Sequence, residues 1–149
     1  MSAQTIPDLP CLCGSLRRAS RALTQRYEKA LRPLGLRATQ LTILQVLARA
    51  GEVSQGELGG MLAMDSTSLT RTLAIMRRQG WVRERRGRDR RERWLRLAQA
   101  GENKLERVAP VWEQVQGELR SQLGPQGSRS LLQLTREIVS LAAREGDAL

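Results

Sequence analysis

Apolar positions in this chain recur mostly at helical spacing. Residues 1–10 hold Pro7 and Pro10 and show little periodicity, so they read as an arm or an extended cap. From Cys11 onward Leu12, Leu16, Ala19, Leu23, Tyr27, Ala30/Leu31 and Leu34 return every three or four residues. That interval gathers side chains on one face of a helix, and Pro33-Leu34-Gly35 punctuates its end. A second helix is expected from Thr39, a good N-cap residue, through Leu41, Ile43/Leu44 and Leu47 to Gly51. Glu52-Val53 leaves room only for a brief strand. Ser54 followed three residues later by Glu57 forms a capping box, which opens a short helix carrying Leu58, Met61 and Leu62. Asp65-Ser66 is the next N-cap signal, and the helix behind it carries Leu69, Leu73 and Ile75/Met76 as far as Gln79-Gly80.

The period then drops to two. Residues 81–86 read as a strand, 87–91 as a charged turn and 92–97 as a second strand, with Leu95 and Leu97 on one face and Trp94 and Arg96 on the other. A long helix is predicted from about Gln99 to Leu123, with Leu105, Val108, Trp112, Val115, Leu119 and Leu123 as its stripe. Pro110 inside it predicts a kink or a break. Gly124-Pro125 separates it from a last helix over about 127–144, which presents Leu131, Leu134/Thr135, Ile138, Leu141 and Ala142. The expected fold is mainly α with a small β-hairpin wing. Residues 39–97 have the layout of a winged helix-turn-helix, flanked by helices at 11–34 and 99–146. A chain of 149 residues fits a single domain.

Charge gives this layout a direction. The chain carries 25 Lys+Arg against 15 Asp+Glu, a formal charge of +10, which points to a polyanionic partner. Residues 65–97 alone hold eleven Arg and four acids, a net +7. Of the basic residues 23 are Arg, the side chain suited to bidentate phosphate and guanine contacts, although a GC-rich coding sequence produces the same bias.

Several function classes are excluded. Without His there is no His-dependent triad, no HExxH metalloprotease and no Cys/His zinc finger. Phosphate-loop, dinucleotide and nucleophile-elbow motifs are missing too. No enzyme activity, cofactor or metal is therefore expected. No apolar run approaches the ~20 residues that span a bilayer, and the start lacks a signal-peptide pattern. The expectation is a cytoplasmic protein with no membrane partner. Cys11 and Cys13 should then be thiols, and their spacing strains a bond between them.

The binding chemistry collects on the helix after Asp65. Its exposed first half would be Ser66, Thr67, Ser68, Thr70 and Arg71, small hydrogen-bonding residues followed by a long donor. A helix entering a major groove needs that narrow leading end. Asp65 itself reads as the cap, and Arg77 and Arg78 as phosphate clamps or solvated charge.

These residues carry a resemblance. Gly56-Glu57-Leu58-Gly59, Leu62 to Arg71, Gly80-Trp81-Val82, and Asp89-x-Arg91 followed by Leu95-x-Leu97-Ala98-x-x-Gly101 resemble the MarR family of bacterial transcriptional regulators. The family's wing signature has Thr where this chain has Ala98, which removes a capping hydroxyl from the long helix. The resemblance implies a homodimer, built by the terminal helices, on double-stranded DNA with a pseudo-palindromic site. It implies that Ser66, Thr67, Ser68, Thr70 and Arg71 face the major groove and that Arg91 enters the minor groove. Asp89 would orient an arginine near the wing, with Arg77, Arg88 and Arg90 on the same DNA-facing side. It also implies a crevice for a small lipophilic or phenolic effector, for which Arg17, Arg21, Tyr27 and Trp112 are the candidates. The alternative switch is Cys11/Cys13, where Arg17, Arg18 and a helix N-terminus favour the thiolate. An intersubunit disulfide or a thiophilic metal could then bridge two first helices. Two small N-terminal residues without a signalling role would look the same. A second reading of the whole chain is a basic architectural or RNA-binding protein that uses the wing without reading bases.

Overall fold

The computed structural model describes residues 6–146. Its elements are α1 (Leu12–Leu31), a 3-10 turn (Arg32–Leu34), α2 (Ala38–Ala50), β1 (Val53–Ser54), α3 (Gln55–Leu62), α4 (Ser66–Arg78), β2 (Val82–Arg86), β3 (Arg93–Leu97) and α5 (Gln99–Gly146). The three strands form one antiparallel sheet in the order β1-β3-β2, with Val53 opposite Leu95 and Val82 opposite Leu97. This is the mainly helical, winged architecture that the periodicity predicts.

The core sits in the middle of the chain. Ile43, Leu44 and Leu47 of α2 meet Leu58 of α3, Leu69, Leu73 and Met76 of α4, and Leu95 of β3, all at most 1% exposed. Each such side chain stabilises the fold by roughly 1.5–3 kcal/mol through burial. Leu31 closes the core from α1 and Val108 from α5.

Three local expectations are corrected. The N-cap of α2 is Arg37, and Thr39 lies inside the helix. The free amides at this end are met instead by Gln40 Oε1, which accepts from Arg37 N at 2.9 Å, and by Glu28 Oε1 of α1, which accepts from Ala38 N at 2.8 Å. Pro110 does not break α5; the one residue of non-helical φ/ψ within Gln99–Gly146 is Gly124, at φ 73° and ψ 167°. Pro110 is exposed, a position where water can take up the carbonyl that a proline frees. The helical backbone resumes at Pro125 rather than 127, because proline suits a first helical turn. Ser128 Oγ donates back to the Gly124 carbonyl at 2.9 Å.

One junction ties α4, the wing and α5 together. Trp81 N donates to Met76 O at 3.0 Å, and Trp81 O accepts from Ala98 N at 2.9 Å. Gly101 packs so closely here that a Cβ on it would lie 2.3 Å from Trp81 O. Lys104 sits 5.0 Å from the Trp81 ring centroid and donates to Leu34 O. Burial of the ammonium, and after it the charge of Arg107, holds the Lys104 pKa below its ordinary value.

The terminal helices leave apolar surface uncovered. Leu12 of α1 is 88% exposed, and Leu132, Leu134, Ile138, Val139 and Leu141 of α5 are each exposed as well. Among the described residues no helix is long and apolar enough to cross a membrane.

Candidate nucleic-acid interface

The helix-turn-helix is set by caps at both of its helices. Ser54 Oγ accepts from Glu57 N at 3.2 Å while Glu57 Oε2 accepts from Ser54 N at 2.8 Å, the reciprocal box expected for α3. At its other end Ala63 takes the left-handed conformation at φ 49°, and Met64 N donates to Gly59 O at 3.0 Å. The chain turns there and α4 begins. Asp65 Oδ1 accepts from Ser68 N at 2.8 Å, so Asp65 is the cap. That hydrogen bond holds the Asp65 carboxyl below its ordinary pKa, and bonds from Ser54 do the same for Glu57.

Leu69 and Leu73 point into the core, which turns the opposite face of α4 outward. Ser66, Thr67, Ser68, Thr70 and Arg71 are all exposed, with Thr67, Ser68 and Arg71 on the side away from Leu69 and Leu73 and Ser66 and Thr70 on the flank beside them. Periodicity did not single out Gln55, whose Nε2 donates to Thr70 Oγ1 at 2.9 Å. The bond fixes the Thr70 hydroxyl against α3. Only the packing of α3 on α4 brings residues 15 positions apart together.

The wing is closed by backbone bonds at its tip. Gly87 N donates to Glu92 O at 2.9 Å and Glu92 N to Asp89 O at 3.0 Å. Asp89 Oδ1 accepts from Arg91 N at 2.9 Å. Asp89 thus holds Arg91, an arginine of the wing, through its backbone amide. Arg88, Asp89, Arg90 and Arg91 are all exposed. Among the described residues Arg71, Arg88, Arg90 and Arg91 make no ion pair with an acid, whereas Arg77 and Arg93 both pair with Glu84, and Arg85 pairs with Glu52. The Arg85 guanidinium also lies 5.2 Å from the Trp94 ring centroid. Its hydrogen bond holds the Glu52 pKa below the usual value.

Helix and wing share one groove of about 900 Å³. Ser66 and Thr70 line one side, and Arg91 and Arg93 the other; Arg77 and the bare backbone of Gly56 and Gly60 complete it. Hydroxyls of the helix and guanidinium groups of the hairpin therefore border one channel.

A second concavity lies between the terminal helices and the winged part. It measures about 560 Å³ and is lined by Leu16, Leu23, Tyr27, Trp112, Leu131 and Ile138 among others. An adjoining recess of about 430 Å³ shares Tyr27 and Trp112 and adds Arg49 and Arg120. Burial raises the Tyr27 pKa, against the opposing charges of Arg120 and Arg26. Two of the four residues expected at an effector crevice are thus brought together. Arg17 and Arg21 are exposed on α1 and line neither space.

Cys11 is the N-cap of α1, its Sγ accepting from Gly14 N at 3.4 Å. Cys11 and Cys13 are both free and exposed. The nearby Arg18 donates to Pro7 O at 2.8 Å, which directs it to the preceding arm.

Comparison with known proteins places this geometry. A model described as MarR family matches residues 34–92. The uncharacterized HTH-type transcriptional regulator YwoH of Bacillus subtilis (strain 168) is 29% identical over 97 residues, which are 65% of this chain and 71% of that protein. The crystal structure of the M. tuberculosis transcriptional regulator MosR in complex with DNA is 35% identical. It covers 88% of this chain and 98% of that one, with a TM-score of 0.76. The apo form of wild-type MarR from E. coli, 22% identical and covering 89% of this chain and 98% of that one, shares the fold at a TM-score of 0.68.

Proposed function

Because the chain belongs to the MarR family of transcriptional regulators, we propose that it is a homodimeric, sequence-specific DNA-binding protein that represses by occupying a pseudo-palindromic operator. The observation that carries this reading is the shared groove, which Ser66 and Thr70 of α4 line together with Arg91 and Arg93 of the wing, with Thr67, Ser68 and Arg71 exposed on α4 and Arg88 and Arg90 exposed at the wing tip outside it. Ser66, Thr67, Ser68, Thr70 and Arg71 read base edges in the major groove. Arg91 enters the minor groove, and Arg88 and Arg90 hold phosphates beside it. Asp89 acts indirectly, by fixing the amide of Arg91. MosR, the solved relative at 35% identity, was crystallised in complex with DNA, which supports the same partner here.

Residues 39–97 form the DNA-binding part of one domain, and 11–34 with 99–146 form the dimer. The exposed Leu132, Leu134, Ile138, Val139 and Leu141 supply the apolar face that a second copy covers. A two-fold dimer places its recognition helices about one DNA turn apart, near 34–36 Å, which is why the site is a pseudo-palindrome. A cytoplasmic location goes with this role.

Two signals fit the surface. A small lipophilic effector suits the crevice at Tyr27 and Trp112. Alternatively, thiols at Cys11 of one protomer and its partner lose two electrons and two protons to an oxidant such as diamide and form a disulfide. Unchanged DNA affinity after diamide, with no cross-linked dimer on a non-reducing gel, removes the thiol route.

Selection from a random duplex library tests the main reading. The purified protein should enrich one pseudo-palindrome, bound about 10³-fold or more tighter than bulk DNA. Recovery without enrichment would instead support the architectural reading.

A further inference from the structure

Glu84 lies in the middle of β2, behind the groove rather than in it. Its side chain is 14% exposed, the least of any ion-paired carboxylate among the described residues. Two guanidinium groups converge on it, Arg77 from the last turn of α4 and Arg93 from the start of β3. Both arginines line the groove. Each is only partly exposed, at 33% and 46% of the side chain. Glu84 faces Leu95 across the strand pair, so its stem is fixed by the sheet.

We propose that Glu84 is a specificity-determining residue that withholds Arg77 and Arg93 from phosphates of arbitrary sequence. The inference rests on the DNA-binding reading above. Its logic is electrostatic. Phosphate contacts are indifferent to sequence, and every arginine free to make one strengthens binding everywhere on DNA. A regulator is selective by the difference between its site and bulk DNA, so surplus phosphate contacts erode the ratio. A carboxylate set behind the groove, touching two of the three arginines that line it, keeps their charge within the protein. Of the three, Arg91 is the one left without an acid partner among the described residues. The same two ion pairs span α4, β2 and β3, so they also hold the wing at a fixed distance from the recognition helix.

The salt dependence of binding to a random-sequence duplex reads this directly, because each phosphate contact contributes about 0.9 to the slope of log affinity against log salt. Glu84→Gln keeps the shape of the side chain and removes its charge. Its slope should steepen by about one to two, and binding at low salt should tighten several-fold. Glu106→Gln makes the same change in net charge on an exposed part of α5 and should leave the slope at the wild-type value. Arg77→Gln added to Glu84→Gln should return about one unit of the slope. A second test does not depend on Glu84→Gln folding: Arg77→Gln in the wild-type background should leave the random-duplex slope unchanged. A slope for Glu84→Gln equal to that of wild type or Glu106→Gln overturns the proposal. So does a loss of about one unit in the single Arg77→Gln variant, which would place Arg77 on phosphate already. If wild type itself binds no duplex at any salt concentration, the DNA-binding reading fails first.

Discussion

Replacing Gly101 by alanine probes the junction on which the winged part is mounted. In an ordinary helix the change is favourable by roughly 0.5–1 kcal/mol, since alanine loses less conformational freedom than glycine. At Gly101 the added carbon would lie 2.3 Å from Trp81 O, 3.0 Å from Leu97 Cδ2 and 3.1 Å from Trp81 C. Two of those atoms are backbone and cannot rotate away. The peptide of Trp81 must retreat, and the 2.9 Å bond that Ala98 N donates to its carbonyl is stretched. Overpacking of this kind costs about 1–3 kcal/mol, and the weakened hydrogen bond adds roughly 1 kcal/mol. Against the helix gain, the net loss should be about 1–3 kcal/mol. Urea unfolding followed by circular dichroism, at one fixed protein concentration, measures it as a lower midpoint at unchanged slope. Gly60→Ala in α3 is the matched control, because a Cβ there meets no atom within 4 Å. It should raise stability by about 0.5–1 kcal/mol. A Gly101→Ala midpoint equal to or above wild type would refute the close approach of α5 to Trp81.

Three further outcomes are expected. Arg91→Ala should weaken operator binding and lower the salt slope by about one, as measured by anisotropy across salt concentrations; wild-type behaviour would remove Arg91 from the interface. Leu134→Glu places a charge on the uncovered face of α5 and should convert a dimer to a monomer in sedimentation equilibrium, where an unchanged mass would move the dimer contact elsewhere. Asp65 has its carboxyl held below the ordinary pKa by the Ser68 bond. Its contribution to stability is therefore present above the unfolded-state value, near about pH 4, and is lost as pH falls through the lower folded-state value. Asp65→Asn should flatten the acid side of the stability profile in that window, and an identical profile would show that the cap does not titrate.

Much of this was legible because it is local. The capping box at Ser54 and Glu57, the Asp65 cap and the change of period at Trp81 each depend on residues within a few positions, and each forms where the pattern places it. Thr39 misled because the amides at the start of α2 are satisfied by Glu28, ten residues from Ala38 and on another helix. Pro110 misled because its penalty depends on exposure, which periodicity does not report. The site divides the same way. The outward face of α4 follows from Leu69 and Leu73 facing inward. The withdrawal of Arg77 by Glu84 and the buttress of Gln55 on Thr70 are contacts between elements, invisible to spacing along the chain. Arg17 and Arg21 share a helix with Tyr27, but only their position around its axis keeps them out of the crevice.

The Trp81 junction bears on how a signal could travel. Gly101 lets α5 pack directly against the Trp81 peptide, and Lys104 couples the same helix to the carbonyl of Leu34. The winged part is thereby clamped to the first turns of α5 and must follow them as a rigid arm. A ligand in the crevice would then act on DNA affinity by changing the angle at which two such arms leave their common base. The reading heads would keep their internal shape while the span between them ceased to match a turn of the duplex.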